Sequence, residues 1–367
     1  MPLSKIVAKS ITDDTITTDQ IADTAVHGRR NLLINGAMQV AQRGTSSTSA
    51  GGYYTVDRIY WAKNNTTELA VTTSQSTEAP EGFSNSWRYQ VTTAETAQAA
   101  GELVYFLYKG EAQDFQHLKY GTSNAEKVTL SFWVRSSLTG TYSVLFYLTD
   151  DTRACTHTYT VDTADTWEYK TITIDGDTTG VIDNDNGEGF SMYFTLSAGA
   201  NSKGTGSTSF NAYTASDFAD SNQVNFNAQT GNYYITGVQL EVGEQATPFE
   251  HRSFNEEFIL CQRYYQKFPK QAVFVGTHSA GGAWQFPVKT EFRAQPTIVN
   301  TDSSPYWENT PWISAGTSLS GFTVTVAAGH CDATGGDVQF SGTWNPTIVS
   351  NKLQLVRTIA CAMTAEL

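Results

Sequence analysis

Residues 128–149 read VTLSFWVRSSLTGTYSVLFYLT, two apolar runs separated by a short polar segment. The runs, VTLSFWVRSS (128–137) and YSVLFYLT (142–149), are rich in the β-branched and aromatic residues that strands favour. Gly140 lies between them and suits a hairpin turn, because glycine adopts backbone conformations that other residues avoid. The stretch therefore predicts two strands joined as a hairpin.

Segments of the same kind recur along the chain between turn signals rich in Gly, Asn and Asp. Strands of this length and spacing are typical of an antiparallel β-sandwich. Four tryptophans fall in strand-like alternation, which predicts core positions for Trp61, Trp87, Trp133 and Trp167. The other strand candidates are residues 53–62, 86–93, 168–174, 189–196 and 233–242, and, after Pro269, residues 272–276, 283–292, 321–328 and 352–363.

Charge, hydropathy and cysteine usage exclude several classes of partner. The formal net charge is −13 with no basic cluster, whereas a protein that follows nucleic-acid phosphates carries a basic stripe. No segment resembles a signal peptide or a membrane span, so no membrane insertion is expected. The four cysteines form no CxxC pair and are too few for a disulfide scaffold, so buried reduced thiols are predicted.

Near the amino terminus, one β-branched apolar residue recurs every five positions among Thr, Asp and other small or polar residues. Five steps turn an α-helix by 500°, so these side chains form no stripe on a helix. In a strand, an odd spacing sends them to alternate faces. Three chains around one axis would bury them at successive levels, which predicts a trimeric connector held together by Ile6, Ile11, Ile16, Ile21 and Val26.

The segment SFNEEFILCQRYYQKFP (253–269) carries the strong helix signal and predicts a helix over residues 253–268. Ser253 followed by Glu256 matches a capping box, and Pro269 provides a stop. Apolar residues spaced 4, 3, 4 and 3 form a stripe of two heptads: Phe254, Phe258, Cys261, Tyr265 and Phe268. By spacing alone, the stripe fits contact between copies of the chain and packing on the chain's own sheet equally well. In the trimer predicted from the amino-terminal repeat, these five residues are predicted to be a second point of trimer contact.

No catalytic motif is present, and the protein is predicted not to be an enzyme. There is no Gly-x-Ser-x-Gly elbow, P-loop, HExxH or dinucleotide-binding fingerprint. The six histidines contain no pair at metal-ligand spacing, and the abundant carboxylates single out no glycosidase pair. The coils of a parallel β-helix are absent as well. No residue is therefore predicted to be catalytic.

The loop DNDNGEG (183–189) is the one weak metal candidate. Asp183 and Asp185 offer alternating oxygens before Gly187, as in a calcium loop. The twelfth position counted from Asp183, which would be a bidentate Glu in an EF-hand, is Phe194. An Asn/Asp/Gly turn explains the same residues. No cofactor is predicted beyond a structural Ca²⁺ at Asp183 and Asp185.

Aromatic residues in a predicted loop form the candidate binding site. The segment SSPYWENTPWIS (303–314) places Tyr306, Trp307 and Trp312 among prolines and polar residues. Aromatic rings cover the apolar face of a pyranose while neighbouring amides and carboxylates bond its hydroxyls, so these three residues are predicted to bind glycan. The alternative is that the rings plug one end of a sandwich, since Trp is mostly buried.

Several segments resemble a domain of tailed-bacteriophage tail fibre proteins, over nearly the whole chain. They are NLLINGAMQVAQRGTS (31–46), YTVDRIYWA (54–62), LSFWVRSSLTGTYSVLFY (130–147), TWEYKTITIDGDTTG (166–180), YYITGVQLEVGEQATPFEHRSFNEEFILCQRYYQKF (233–268) and TAEL (364–367). The resemblance implies a homotrimeric virion protein with a jelly-roll domain like those of carbohydrate-binding modules. It also implies binding to the host surface through the outer end of the fibre.

Together these observations predict an all-β protein: an antiparallel jelly-roll sandwich and a smaller carboxyl-terminal β-sandwich, joined by a short helix. The predicted parts are an amino-terminal trimeric connector (1–30), the jelly roll (31–252), the helix (253–268) and the distal β-domain (269–367). The predicted function is a structural tail fibre that attaches to a tail or adaptor protein and recognises a host-surface glycan. The alternatives are a polysaccharide depolymerase and a spacer or adaptor fibre that binds no glycan.

Overall fold

A computed structural model of the chain describes residues 29–268, 281–286, 290–294, 297–300, 323–325, 331–332, 335–341 and 361–367. Regular structure in these ranges is almost entirely β, with a single α-helix and short 3₁₀ turns. The strands between residues 46 and 242 form two six-stranded antiparallel sheets and a short parallel pair. Within the same ranges, no helix is long and apolar enough to cross a membrane.

The two sheets pack face to face as a sandwich. In spatial order, the first sheet consists of β1 (Ser46–Ser47), β3 (Ala70–Ser76), β4 (Ser86–Thr93), β14 (Gly231–Val242), β6 (Val128–Ser136) and β9 (Glu168–Ile174). The second consists of β12 (Asn211–Ala212), β8 (Arg153–Val161), β7 (Gly140–Leu148), β10 (Glu188–Ala198), β5 (Leu103–Glu111) and β2 (Tyr60–Asn64). The parallel pair is β11 (Lys203–Gly204) with β13 (Ala219–Asp220).

The hairpin predicted for residues 128–149 is wrong, although both strands form. Strand β6 pairs with β14 and β9 in the first sheet, whereas β7 pairs with β8 and β10 in the second. Gly140 has a φ of 124°, which only glycine adopts readily, and there the chain turns from one sheet to the other. Successive strands that change sheets in this way give the sandwich its jelly-roll topology.

Aromatic rings from both sheets fill the core between them. Phe106 and Phe194 stack in parallel with centroids 4.7 Å apart, and Phe132 of the opposite sheet meets Phe194 edge-on at 5.3 Å. Trp61 and Trp87 are buried, which confirms their predicted core positions. The other two tryptophans are only half-buried, which corrects the core prediction for Trp133 and Trp167.

The position of Trp133 follows from strand alternation. Phe132 and Val134 point into the core, so Trp133 between them lies on the outer face of the first sheet. There its ring contacts Tyr169 with centroids 5.3 Å apart. Alternation predicts the strand correctly, but the prediction that Trp133 points into the core is wrong.

Helix α1 (Phe254–Gln262) begins where the sequence predicts and ends earlier. Ser253 is the N-cap, and its side chain accepts a hydrogen bond from the backbone N–H of Glu256 at 3.3 Å. Residues after Gln262 leave the helix and form β15 (Tyr265–Phe268), which pairs with β21 (Cys361–Thr364). The predicted helix over 253–268 is therefore corrected, because strand pairing takes its last residues.

The other described strands confirm that β structure continues after residue 268. A three-stranded antiparallel sheet consists of β15, β21 and β17 (Thr297–Asn300). A second antiparallel sheet consists of β16 (Gly281–Phe286), β20 (Gly335–Ser341), β18 (Thr323–Thr325) and β19 (Cys331–Asp332). In the first of these sheets, the backbone of Phe268 at the end of β15 lies directly opposite Cys361 at the start of β21, and β17 pairs with β21 on its other side.

A buried charge cluster attaches residue 366 to the sandwich. The Glu366 carboxylate forms ion pairs with Arg58 and, at 2.9 Å, with Arg43. The two guanidinium groups also lie over the rings of Tyr264 and Tyr265, with centroid distances of 3.5 and 3.7 Å respectively. The cluster joins the segment before β2 to the strand pair β15–β21.

A second buried network explains the segment NLLINGAMQV. The Asn31 side chain donates to the Val238 carbonyl at 3.0 Å and accepts from the backbone of Leu240 at 3.1 Å. Gly36 packs so close to the Val238 carbonyl that a Cβ atom would lie 2.1 Å from that oxygen. The Arg252 guanidinium donates to the Asn31 carbonyl. The network therefore ties this segment to β14 and to the start of α1.

We expect Glu366→Gln to lower the free energy of unfolding by about 3 kcal/mol, because it leaves two buried guanidinium groups without their shared carboxylate. Chemical denaturation of the full chain measures this loss. Glu256→Gln is the matched control. It removes the ion pair between Glu256 and Arg29, which lie 3.0 Å apart and whose side chains are 44% and 57% exposed, respectively. The control should change stability by less than about 1 kcal/mol. Equal losses in the two variants would contradict the role of the cluster.

Candidate glycan-binding face

The outer face of the second sheet carries four half-buried tyrosines grouped around a buried phenylalanine. Tyr105 lies on β5, Tyr147 on β7 and Tyr193 on β10, whereas Tyr213 follows β12 and Phe218 precedes β13. We call these five residues the tyrosine face. They form a hydrophobic cluster separate from the core between the sheets.

Strand alternation and register bring the tyrosines to one surface. Along β10, Met192 and Phe194 point into the core, so Tyr193 between them points outward. Tyr193 lies opposite Leu107 of β5 and Leu145 of β7 in the ladder. Two residues away from Tyr193 along β10, in opposite directions, Thr195 faces Tyr105 and Ser191 faces Tyr147. The three strand tyrosines therefore lie on one outer surface of the sheet, among side chains that are themselves buried: Leu107, Leu145, Ser191 and Thr195.

The rings meet mainly edge to face. Tyr193 lies 5.2 Å from Tyr105 and 6.4 Å from Tyr147, and Tyr147 lies 5.3 Å from Tyr213, with interplanar angles of 67°, 82° and 76° respectively. The Phe218 ring contacts Tyr105 and Tyr193 at 5.5 and 5.4 Å. Edge-to-face pairs of this kind are favourable and hold the rings in fixed orientations.

Residues 199–225 cross the outer face of the second sheet and position Tyr213 and Phe218. The side chain of Gln223 accepts from the backbone N–H of Ser143 at 2.6 Å. The Thr156 hydroxyl donates to the Asp217 carbonyl at 2.6 Å. These bonds fasten the crossing segment to β7 and β8, so the tyrosine face is a built surface between a sheet and a fixed loop.

Polar groups border the rings on the side of β5 and β10. The Lys109 ammonium lies 2.6 Å from Glu188, and both side chains are about four-fifths buried. Glu188 also accepts hydrogen bonds from the hydroxyls of Ser191 at 2.6 Å and Thr149 at 3.2 Å. Tyr60 of β2 lies opposite Leu107 of β5 and extends the aromatic surface toward these polar groups. The face thus combines apolar rings with oriented donors and acceptors.

Three phenol groups of this face are neutral at neutral pH, as tyrosine ordinarily is, and burial strengthens that preference. Burial raises the pKa of Tyr105, Tyr193 and Tyr213 above the ordinary value for tyrosine. A neutral phenol both donates and accepts a hydrogen bond. Each ring therefore offers an apolar surface and a hydroxyl at its edge, which suits a ligand with alternating C–H and O–H groups, such as a sugar.

Sequence reasoning missed this face. The segment FSMYFTL is predicted to be a strand, but its tyrosine is not singled out among the core phenylalanines, and LVYFLYKG is not among the predicted strands. The signal was present: in both segments Tyr and Phe occupy adjacent positions, so one of each pair must point away from the core. The role of Tyr213 and Phe218 could not be found from local pattern, because it depends on the loop crossing the sheet.

The predicted glycan-binding residues Tyr306, Trp307 and Trp312 lie outside the described residues, and their role stays a prediction. The same holds for the predicted trimer contacts Ile6, Ile11, Ile16, Ile21 and Val26, and for the side chain of Phe268. The structure describes the loop residues Asp183 and Asp185, which are exposed.

The Asp183–Asp185 loop has the hydrogen bonds of a turn. The Asp185 carboxylate accepts from the backbone N–H of Gly187 at 2.7 Å, and the backbone N–H of Asp183 donates to Asp150 at 3.0 Å. In the part of the chain that the structure describes, no group of three or more His, Cys, Asp or Glu side chains is placed to hold a metal ion. Calcium at this loop stays a prediction.

The heptad stripe of α1 is divided between the interior and the surface. Cys261 and Tyr265 are 1% and 4% exposed and pack within the chain. Phe254 is 53% exposed and stacks on the half-buried Phe258 at 5.8 Å. Ile259 is also 53% exposed, but it lies about 140° around the helix axis from Phe254, because the two are five positions apart. Of the predicted stripe, Phe254 and Phe258 are therefore the described residues left at the surface.

No family model and no curated protein matches the chain. Among solved structures, it is similar to the enzymatically active domain of tailspike protein 4 of bacteriophage CBA120, with 12% identity and a TM-score of 0.32 over 58% of this chain and 21% of that chain. It is also similar to a family 11 carbohydrate-binding module of Clostridium thermocellum, with 10% identity and a TM-score of 0.27 over 55% and 98% of the two chains. A third similar structure is a family 61 carbohydrate-binding module bound to β-1,4-galactotriose, with 9% identity and a TM-score of 0.26 over 59% and 100%.

The chain thus spans about a fifth of the tailspike domain that it matches and nearly the full length of the two binding modules. The assignment of the fold rests on the strand pairing described above.

Proposed function

We propose that this chain is a non-catalytic, homotrimeric tail fibre protein of a tailed bacteriophage that binds a glycan on the host surface. The phage context rests on the resemblance of segments throughout the chain, chiefly residues 233–268, to tail fibre domains. The binding function rests on the tyrosine face. Its location is the virion, and its partners are other copies of the chain, a tail or adaptor protein and the host glycan.

The observation that carries the proposal is the chemistry of the tyrosine face. Three tyrosine rings on the sheet and that of Tyr213 on the crossing segment present apolar surface, with neighbouring ring centroids 5.2–6.4 Å apart and hydroxyl groups at the ring edges. The Lys109–Glu188 pair beside them supplies charged groups that bond hydroxyls. The chain's net charge of −13 favours a neutral ligand over an anionic one.

We expect Tyr147→Ala combined with Tyr213→Ala to weaken glycan binding, because each stacked ring contributes on the order of 1 kcal/mol. Adsorption of the purified full chain to host cells, and its retention on immobilised host polysaccharide, measure the loss. Tyr169→Ala is the matched control: Tyr169 is 43% exposed and pairs with a tryptophan on the outer face of the opposite sheet. Loss of adsorption in the control alone would contradict the assignment of the binding face.

The predicted distal site is tested in the same assay. If Trp307 and Trp312 are sugar platforms, Trp307→Ala with Trp312→Ala abolishes adsorption while the trimer survives. A normal result for this variant, with loss in the Tyr147/Tyr213 variant, assigns recognition to the tyrosine face. Normal adsorption in both variants supports the spacer or adaptor function. Release of reducing ends from host polysaccharide by the wild-type chain would support the depolymerase function and contradict the non-catalytic proposal.

The trimer is tested by native mass spectrometry of the full chain. We expect a trimer for the wild type and a monomer for the combined variant Ile11→Asn, Ile16→Asn and Ile21→Asn, because a polar amide at three successive levels disrupts the proposed axial core. Phe254→Ser with Ile259→Ser tests the exposed part of α1 separately. A stable wild-type monomer would remove the explanation for the five-residue repeat.

A further inference from the structure

The outer face of the first sheet carries a second group of aromatic side chains, on the opposite side of the sandwich from the tyrosine face. Its rings belong to Phe83, Trp133, Trp167, Tyr169 and Tyr234, which we call the tryptophan face. Tyr234 points outward because its neighbour Tyr233 lies in the core. Trp167 contacts Tyr234 with ring centroids 6.0 Å apart. Tyr169 of β9 lies directly opposite Trp133 of β6 and is 43% exposed.

Several of these rings form a continuous strip across the sheet. Trp133 contacts Tyr169 with centroids 5.3 Å apart. A Cβ atom on Gly237 would lie 2.7 Å from Cζ of Phe83 and 3.2 Å from Cδ1 of Trp133, so both rings close over this glycine of β14. Phe83 in turn contacts Phe249 edge to face, with centroids 5.1 Å apart. The strip therefore runs from β9, at one edge of the sheet, to the segment that follows β14.

Two arginines flank the Tyr234 ring. Arg88 of β4 and Arg135 of β6 lie opposite Tyr234 in the two ladders of β14, and their guanidinium carbons are 5.9 and 5.4 Å from its ring centroid. Arg135 forms an ion pair with Glu78 at 2.9 Å. Arg88 donates to the side-chain oxygen of Asn232 at 3.0 Å and forms no ion pair with a carboxylate of the described residues. The tryptophan face therefore carries a locally unbalanced positive charge in a chain of net charge −13.

The composition of the tryptophan face is typical of the centre of a protein–protein contact. Trp, Tyr and Arg are enriched among the side chains that contribute most to such contacts, whereas Lys, Glu and Asp are depleted. Rings that already pack on their neighbours also lose little conformational freedom when a partner binds. Aromatic rings bind sugars as well, so the position of the face has to distinguish a protein partner from a glycan.

The aromatic strip ends where the predicted amino-terminal connector joins the sandwich. The backbone N–H of Arg30 donates to Glu250 at 3.0 Å, and the Arg30 guanidinium donates to the Pro248 carbonyl at 3.2 Å. Phe249, the last ring of the strip, lies between these two residues in sequence. In the proposed trimer the three connectors meet at the three-fold axis, so residue 30 of each copy would lie close to that axis. The strip would then start near the axis, where copies of the chain are closest to each other.

We propose that the tryptophan face binds a second copy of the chain and orders the sandwiches within the trimer. The inference rests on the homotrimer of the proposed function and does not depend on glycan binding by the tyrosine face. Around a three-fold axis the contact is heterologous, so the tryptophan face of one copy meets a different surface of the next. Chains that each carry a net charge of −13 repel one another, and Arg88 set against an acidic surface of the next copy reduces that repulsion.

Hydroxyl-radical footprinting of the full chain tests the inference, with native mass spectrometry of the same sample to establish its oligomeric state. Tyr169 is compared with Tyr54, because the two are 43% and 38% exposed in a single copy and should then be labelled at similar rates. Since the core of a protein contact is fully buried, we expect labelling of Tyr169 in the trimer to fall about tenfold relative to Tyr54. The combined variant Ile11→Asn, Ile16→Asn and Ile21→Asn, expected to be a monomer, should restore the ratio.

Arg88→Glu tests the charge on the face. The reversed charge repels the acidic surface of the next copy, so Tyr169 should be labelled as fast as Tyr54 while the connector keeps the three chains together. Lys267→Glu is the matched control: it reverses the charge of an exposed lysine that forms no ion pair with the described residues, and it should leave Tyr169 protected. Protection of Tyr169 that Arg88→Glu retains would contradict the contact. Should Arg88→Glu fail to fold, a photoreactive phenylalanine analogue in place of Tyr169 serves instead: irradiation should yield covalently linked copies, and their absence counts against the contact.

Three results for the wild-type chain would overturn the inference. The first is a trimer in which Tyr169 and Tyr54 are labelled equally, which keeps the trimer of the proposed function and rejects this contact. The second is protection of Tyr169 that appears only when host polysaccharide is added, which would make the tryptophan face a glycan site. The third is a wild-type monomer, which would remove the proposed trimer and this contact together.

Discussion

The burial of arginine side chains is the constraint on which the arrangement of the chain around the sandwich depends. Arg58 and Arg252 have side chains 3% and 4% exposed in a protein whose net charge is −13. A guanidinium group removed from water needs carboxylates and carbonyls at fixed positions. Arg252 forms ion pairs with Glu250 and Glu257 and donates a hydrogen bond to the Asn31 carbonyl. Arg58 forms an ion pair with Glu366. Segments far apart in sequence are thereby joined: residue 31 to residues 250–257, and residue 58 to residue 366.

This constraint also defines how the region after residue 268 is attached. Tyr264 and Tyr265 cover the guanidinium groups, and the strand that starts there pairs with the strand that leads to Glu366. The two strands are thus neighbours, and the charge cluster fixes them to the sandwich together with the ion pair of Arg263 with Glu111. Part of the chain between them belongs to the attachment as well: Arg293 donates to the Asn186 carbonyl at 3.1 Å, and β17 pairs with β21.

Much of the fold could be predicted from alternation, and the rest required long-range information. A period of two identifies strands and separates the two faces of each, which is why Trp61 and Trp87 were placed correctly. It does not say which strands pair, so the turn at Gly140 was read as a hairpin when it connects two sheets. Nor does it say which face is inward where both carry aromatics, as at Trp133. The capping box located the start of α1, but its end depends on pairing with residues about 95 positions later.

The same limit explains why the candidate site was missed. The rings of Tyr105, Tyr147 and Tyr193 become neighbours only through strand register, and residues 199–225 add Tyr213 only because that segment is fastened across the sheet. Alternation within one strand indicates that a tyrosine points outward, but which tyrosines lie side by side depends on residues far away in sequence. The Ile repeat, in contrast, is entirely local, so its five-residue spacing could be interpreted without the fold.

Under the proposed function, glycan recognition depends on trimer formation, because the affinity of a single tyrosine face is low. A shallow face whose four rings each contribute on the order of 1 kcal/mol gives a dissociation constant in the millimolar range. That is too weak for one copy to hold a virion on a cell. Three copies on one fibre raise the effective affinity by a factor of about 10² to 10⁴ when the glycan repeats along the surface. Trimer formation through the five-residue repeat would therefore be needed for adsorption, even though none of its residues touches the glycan.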